Sequence, residues 1–452
     1  MAVTAAGWAD RRERVGWYFY DVANSAFYTS VVTVFLGPYL TAVAKSAAGC
    51  PESGCAGRTV SLAGVPVAPE SLFPYMASLS VLLTVFVLPV VGAVADRTAY
   101  KKWLMAGCAY VGAAATVGML FLTGDRYVLG AVLFVVANVA FGSSVVVYYS
   151  FLPQLAGPDD RDAVSSVGWA FGFGGGGVLL ALNLAAVVLA PRWWGVSTGD
   201  VARWCIVSAG VWWAAFTTVP LVRLRNRPPV AGPASGPLLV AGFRQLWATL
   251  RSLRAYPLTL FFLIAYLVYN DGIQTVIAMA SVYGVEELKL SQDVLVPTIL
   301  MVQFLALGGA LGMGWLARRI GAWKTILLSL VLWSVTVVAA FWLPVGAAGP
   351  FVALGGAIGV VLGGSQALSR SLFSQLIPPG REGEYFGLYE ISDKGTSWLG
   401  PLLFGLAIQA TGSYRVALLS LMSFFVIGFG LLAAVPVRRA IVAAGNTPPR
   451  VL

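Results

Sequence analysis

Histidine is absent from all 452 residues of this chain. That excludes imidazole proton relays, histidine metal ligands and Ser–His nucleophilic chemistry. No G-x4-G-K-[ST] loop is present to cradle a nucleotide's phosphates, which disfavours an ATP-driven pump. Charge is scarce as well: 11% of residues are Asp, Glu, Lys or Arg, where a soluble domain carries about 25%. Cysteine is limited to four positions. Cys50 and Cys55 stand in a C-x4-C spacing in a polar gap, where a small disulfide loop and two free thiols are both open readings. Cys108 and Cys205 fall in apolar runs and read as small packing residues. With neither histidine nor a cysteine cluster, no metal, no cofactor and no enzymatic chemistry is expected.

What the chain does have is apolar length. Hydrophobic residues make up 58% of it, gathered in twelve stretches near 18–42, 72–95, 103–122, 128–152, 164–190, 204–222, 257–281, 294–317, 323–344, 351–377, 386–410 and 414–436. A helix needs roughly 20 apolar residues to cross a bilayer core. Inside lipid every backbone N–H and C=O must be paired within the protein, so these stretches are helices. The fold class is therefore an all-α polytopic membrane protein with 12 transmembrane helices. The longest gaps, 43–71 and 223–256, leave no room for a water-soluble domain. The run after Arg14 is too long for a cleaved leader, so the first helix is expected to act as its own insertion signal.

The net charge of +10 is distributed by side. With the gaps counted alternately, the two termini and the even-numbered gaps hold 20 of the 29 Lys and Arg residues, and the opposite side holds seven. Cytosolic loops carry the positive excess. Both termini are thus expected in the cytosol of a multi-pass protein of the cell (plasma) membrane. The basic excess reports topology, and no nucleic-acid partner is expected.

The stretches divide six and six. The expected domains are an N-terminal six-helix bundle (1–222), a cytosolic linker (223–256) with a surface helix near 243–254, a C-terminal six-helix bundle (257–437) and a cytosolic tail (438–452). Two correspondences support duplication. The run from Gly92 to Arg97 matches Gly314 to Arg319 at a displacement of 222, and Ser150, Gln154, Leu155 and Pro158 match Ser371, Gln375, Leu376 and Pro379 at 221. Parallel halves of this kind place a binding site at their interface near the bilayer midplane.

The stretch GAVADRTAYKK (Gly92–Lys102) resembles the loop 2–3 signature of the major facilitator superfamily, with Gly92, Ala95, Asp96, Arg97 and Lys101 in place and Ala99 and Tyr100 departing from it. A narrower resemblance is to the vacuole-effluxer-like branch, the autophagy-related transporters and their bacterial relatives. It rests on WYFYDVANSAFYTSVV (Trp17–Val32), AYLVYNDGIQTVIAMASVYG (Ala265–Gly284) and the long polar segment Gly363–Gly405. The resemblance implies two pseudo-symmetric six-helix bundles working by alternating access. It also implies a link to amino acids, which the fungal members are associated with releasing from the vacuole.

Ionisable residues inside a membrane are costly and are functional candidates by default. Here they are Asp21, Asp271, Arg370, Glu390, Asp393 and Lys394, with Asn24, Asn270, Gln274, Gln303, Gln366 and Gln409 as polar neighbours. Asp271 lies in mid-helix 7 between Asn270 and Gln274, placed to take up and release a proton or to touch substrate. Asp21, Asn24, Gln366, Arg370 and Lys394 complete the expected substrate or proton site. A cytosolic gate is expected from Gly92, Asp96, Arg97 and Lys101 meeting Glu390 and Asp393, with Asp96 at the N-terminal dipole of helix 11. In the second half Arg318 replaces the equivalent of Asp96, and a latch of reversed polarity is expected between Arg318 or Arg319 and Asp159, Asp160 or Asp162. Gly172 and Gly174–Gly177 in helix 5 are expected to give close packing or a bend.

The function expected is secondary transport of a small solute, an amino acid or similar zwitterion, with proton coupling and export as open readings beside the other modes and direction. The protein is expected to act as a monomer in the bilayer. One alternative is efflux of amphipathic drugs, with Trp169, Phe171, Phe173 and Trp398 lining a greasy pocket. Another is a membrane sensor or scaffold that transports nothing.

Overall fold

A computed structural model describes residues 10–51, 58–229, 255–394, 399–411 and 413–452. Most of the 223–256 linker, with its expected surface helix, lies outside the described residues. Among those described, eleven helices are long and apolar enough to cross a membrane, and a shorter apolar one accompanies them. In the first half these are α1 (Arg11–Ala47), α2 (Pro69–Arg97), α3 (Lys101–Phe121), α4 (Tyr127–Leu155), α5 (Arg161–Trp194) and α6 (Thr198–Arg223). The second half contributes α7 (Pro257–Glu286), α8 (Gln292–Ile320), α9 (Ala322–Phe341) and α10 (Ala348–Gln375). Next come α11 (Glu382–Lys394) and α12 (Leu399–Thr411), which together cover the expected span 386–410. The set closes with α13 (Tyr414–Ala434) and the short tail helix α14 (Val437–Ala443).

The apolar residues sort as a membrane protein requires. Leu82, Phe86 and Val222 are exposed on the outside of the bundle, where hydrocarbon takes the place of water. Trp17, Trp213 and Trp333 are fully buried between helices. Where helices approach most closely the residues are small, as packing in lipid demands. A Cβ at Gly112 would overlap the Trp213 ring, and one at Gly363 would overlap the Ala306 carbonyl.

Helix α1 contains a π-helical segment, Phe27–Phe35. The long gap after it holds a hairpin that the sequence reading did not anticipate. Strands β1 (Val60–Leu62) and β2 (Val65–Val67) pair antiparallel through the two-residue turn Ala63–Gly64. Both turn residues have positive φ, at 50° and 86°, as a turn matched to the strand twist requires. Tyr127 Oη donates to Ser61 O at 2.8 Å and ties the hairpin to α4.

The two halves meet along α2 against α11 and α5 against α8, which are equivalent pairings in the duplicated plan, and also along α5 against α10. The glycine run of α5 is resolved as close packing within one uninterrupted helix. Gly172, Gly175 and Gly176 face Ser25, Val22 and Thr29 of α1, while Gly174 and Gly177 face Leu307 and Gln303 of α8.

Candidate functional site

A buried ion pair joins the halves through one side chain. Arg370 on α10 is fully buried. Its Nε donates to Ser165 Oγ at 2.9 Å and its Nη2 to Ser165 O at 2.8 Å. Its Nη1 stands 3.5 Å from Asp21 Oδ2. Tyr148 Oη donates to the same Asp21 oxygen at 2.6 Å. The guanidinium also lies over the rings of Tyr149, Trp17 and Trp169, at 4.8, 4.9 and 5.4 Å from their centroids.

Every one of these partners belongs to the first half. A buried ion pair repays its desolvation only with good geometry and further hydrogen bonds. Here Ser165 and Tyr148 supply the bonds, and the aromatic faces add cation–π attraction. Gly168 leaves the room: a Cβ there would come within 2.7 Å of the Trp17 ring and 2.8 Å of Asp21 Oδ2.

A seam of hydrogen bonds continues from this centre. Ser165 Oγ donates to Ala367 O at 2.7 Å, and Ser371 Oγ donates to Asp162 Oδ1 at 2.6 Å. Arg161 Nη1 donates to Ser374 O at 3.0 Å. At the face that carries the termini, Asp96 accepts from the backbone N–H of Gly383 at 2.8 Å and of Glu384 at 2.9 Å. The carboxylate so placed satisfies orphan donors in the first turn of α11 and complements its dipole. Lys101 Nζ lies 3.7 Å from Asp96 Oδ1.

Gly92, one turn earlier in α2, packs directly on the Gly383 carbonyl, and the equivalent Gly314 of α8 packs on Ser166 of α5. Both crossings are thus closed on the basic face. Arg97 ends α2 and is half-buried.

Two expectations need correction. Asp393 was assigned to the gate, but it sits ten residues beyond Gly383 in the sequence of α11 and joins a network deeper in the bundle. It accepts from Tyr266 Oη at 2.8 Å and from Asn270 Nδ2 at 2.8 Å. Gln366 Nε2 in turn donates to Asn270 Oδ1 at 2.7 Å. This links α7, α10 and α11, with buried Glu390 one turn before Asp393.

The reversed-polarity latch is not formed among the described residues, because each of its acids has another partner. Asp160 pairs with Arg14 at 3.3 Å, Asp159 with Arg450 at 3.7 Å, and Asp162 receives Ser371. Arg319 instead lies over the Trp315 ring at 4.5 Å. Arg318 has no hydrogen bond or ion pair among the described residues.

Asp271 is 2% exposed, and among the described residues neither of its carboxylate oxygens has a side-chain hydrogen-bond partner. Thr275 Oγ1 donates to the Asp271 backbone carbonyl and packs on Gly400 of α12. Gln274 is half-buried, and Asn24 is buried beside Ser25. The Lys394 side chain and Trp398 lie outside the described residues. Cys50 is disulfide-bonded, and Cys55 lies outside the described residues. The aromatics proposed for a greasy pocket divide. Trp169 packs on Phe173 near Arg370, whereas Phe171 packs on Tyr18 and Phe19 of α1.

Sequence reasoning missed Trp17, Tyr148, Tyr149, Ser165 and Tyr266. One signal was available for Tyr149. The displacement of 221 that pairs Ser150 with Ser371 also pairs Tyr149 with Arg370, and the two touch.

Comparison with known proteins agrees with this architecture. A family model described as "Vacuole effluxer Atg22 like" matches residues 9–445. The chain is 27% identical to an uncharacterized MFS-type transporter, YxiO, of Bacillus subtilis, over 94% of this chain and 95% of that one. It is also 27% identical to autophagy-related protein 22 of Gibberella zeae, covering 90% of this chain and 76% of the relative. Among solved structures, the major facilitator superfamily transporter FucP in its outward conformation aligns with a TM-score of 0.66 at 12% identity, covering 93% of this chain and 97% of FucP. A bacterial homologue of the iron transporter ferroportin in an outward-facing state aligns with a TM-score of 0.66 at 14% identity, covering 94% and 99%. The fold is that of the major facilitator superfamily.

Proposed function

Because this chain belongs to the Atg22-like vacuole effluxer family of major facilitator transporters, we propose that it moves an amino acid or similar amine-bearing solute out of the cell by alternating access, coupled to protons. Both termini face the cytosol of the cell membrane in this reading, consistent with the basic excess on that side.

One observation carries the proposal. The spans hold four acids, Asp21, Asp271, Glu390 and Asp393, against two bases, Arg370 and Lys394. Arg370 is engaged by Asp21, and by formal count of residue types the spans carry a deficit of two positive charges. A cationic solute group or protons would make up that deficit, since unbalanced charge in a low-dielectric interior is costly. The network of Asp393 with Asn270, Gln366 and Tyr266 suits an ammonium group. Asp271, buried and without a counter-charge among the described residues, suits a proton. Arg370 and Asp21 would hold the cytosolic side shut, with Gly92, Asp96 and Lys101 as the outer part of the same closure.

Uptake of labelled amino acids into proteoliposomes, with and without a pH gradient, tests this. Amino-acid movement that responds to the gradient is expected. Asp393→Asn should abolish solute movement, whereas Asp271→Asn should abolish gradient-driven accumulation and spare solute exchange. Failure of every amino acid to move would remove the substrate class, and full proton-driven accumulation by Asp271→Asn would remove Asp271 from coupling.

A further inference from the structure

Away from the seam, α1 and α5 border an open cavity of about 380 Å³ lined by Arg11, Arg14, Val15, Tyr18 and Phe171. Its lining changes with depth. Arg11 and Arg14 stand in the first turn of α1 at the basic face, and Tyr18 follows Arg11 by seven residues, about 10 Å along a helix axis. Phe171 of α5 forms the floor, 37% exposed, with its ring 5.5 Å from that of Tyr18. None of these residues belongs to the Arg370 cage.

The charges at the mouth are unequal. Asp10 pairs with Arg225 at 3.2 Å and Glu13 with Arg227 at 2.8 Å, so the acids of this turn are matched by the start of the linker. Arg14 reaches toward the α4–α5 connection, donating from Nε to Leu155 O at 3.1 Å and lying 3.3 Å from Asp160. Arg11 is exposed and has no hydrogen bond or ion pair among the described residues. A guanidinium unmatched among the described residues therefore lines the same cavity as two aromatic rings of membrane-spanning helices.

We propose that this cavity binds an anionic phospholipid of the leaflet on the basic face. Its phosphate lies between Arg11 and Arg14, and the upper part of an acyl chain runs along Tyr18 and Phe171. Guanidinium groups suit phosphate through charge-assisted hydrogen bonds, and basic pockets between membrane helices on this side are suited to lipid head groups. The step of about 10 Å from charge to aromatic floor matches the passage from head group to acyl region. A zwitterionic lipid would offer the same phosphate but bring a cation of its own beside Arg11 and Arg14, and a free phosphate would leave the aromatic floor uncovered.

Native mass spectrometry of the purified full chain with phosphatidylglycerol or phosphatidylcholine tests the assignment. Phosphatidylglycerol should be retained several-fold better than phosphatidylcholine at equal concentration. Arg11→Gln should weaken retention of the anionic lipid about fivefold, the effect of one surface cation. Because Arg11 has no partner to lose, this variant keeps its fold, which the thermal unfolding profile checks. Phe171→Ala should weaken a long-chain lipid more than a short-chain one with the same head group. Equal retention of the two lipids, or an unchanged Arg11→Gln, overturns the proposal. Displacement of the lipid by millimolar inorganic phosphate or glycerol phosphate would reassign the cavity to a soluble phosphate and overturn it equally.

Discussion

The contact between Arg370 and Asp21 makes a quantitative demand on the conformational equilibrium. Replacing Asp21 with Asn preserves shape and leaves an oxygen to accept from Tyr148, but it strands the guanidinium without a counter-charge. Removing one partner of a buried pair costs about 3–5 kcal/mol. The aromatic rings over Arg370 and its two bonds to Ser165 remain, so a cost of about 2–3 kcal/mol is expected once these are allowed for. That cost falls on the state closed at the basic face, because separation of the halves lets water reach Arg370. The closed-to-open ratio should therefore drop by roughly 30- to 150-fold.

Ser374 reports on it: the residue is 1% exposed in the closed state and lies on the seam. A Ser374→Cys probe, in a background with Cys108 and Cys205 replaced, can be labelled by an impermeant maleimide from the basic face. While the closed state predominates, the labelling rate follows the open fraction. Asp21→Asn should raise that rate by the same factor, and adding Arg370→Gln should restore it in large part by removing the stranded charge. A rate changed by less than threefold, or a double variant no slower than the single one, would refute the claim that this pair holds the halves together.

Further outcomes follow from the same closure. Gly92→Ala places a methyl group on the Gly383 carbonyl, backbone against backbone, and should raise probe labelling in line with an overpacking cost of about 1–3 kcal/mol. Asp96→Asn loses one of its two backbone donors and the charge facing the α11 dipole, for about 1–2 kcal/mol and a smaller rise than Asp21→Asn gives. Tyr148→Phe removes a hydrogen bond to Asp21 that lies within the first half, so it should raise probe labelling less than Asp21→Asn does and leave solute exchange intact. The same labelling assay measures all three.

Much of this architecture was legible because the solvent is so selective. Apolar length alone marked ten of the crossings at nearly the residues found, and a repeated Gly-x4 spacing at Gly92 and Gly314 pointed to the two equivalent crossings between halves. What resisted reading was contact between distant segments. Nothing local in Trp17, Tyr148 or Trp169 distinguishes a ring stacked on a guanidinium from one facing lipid. The acids Asp159, Asp160 and Asp162 looked available to Arg318, but their partners come from α1, the tail and α10, between 146 and 291 residues away for the first two. Asp393 was misassigned because depth along a helix was judged from the chain rather than from what each turn of α11 meets.

Five of the six glycines of α5, Gly172 and Gly174–Gly177, have an asymmetry with a mechanical consequence. Cβ atoms at Gly172, Gly175 and Gly176 would meet α1 at 2.8, 2.7 and 2.9 Å, whereas those at Gly174 and Gly177 would meet α8 at 3.0 and 3.4 Å. The helix is therefore welded on one flank and merely seated on the other. Since the welded flank belongs to its own bundle and the seated flank to the opposite one, the smooth side can act as a bearing, letting the bundles roll past each other with few side chains to ratchet across.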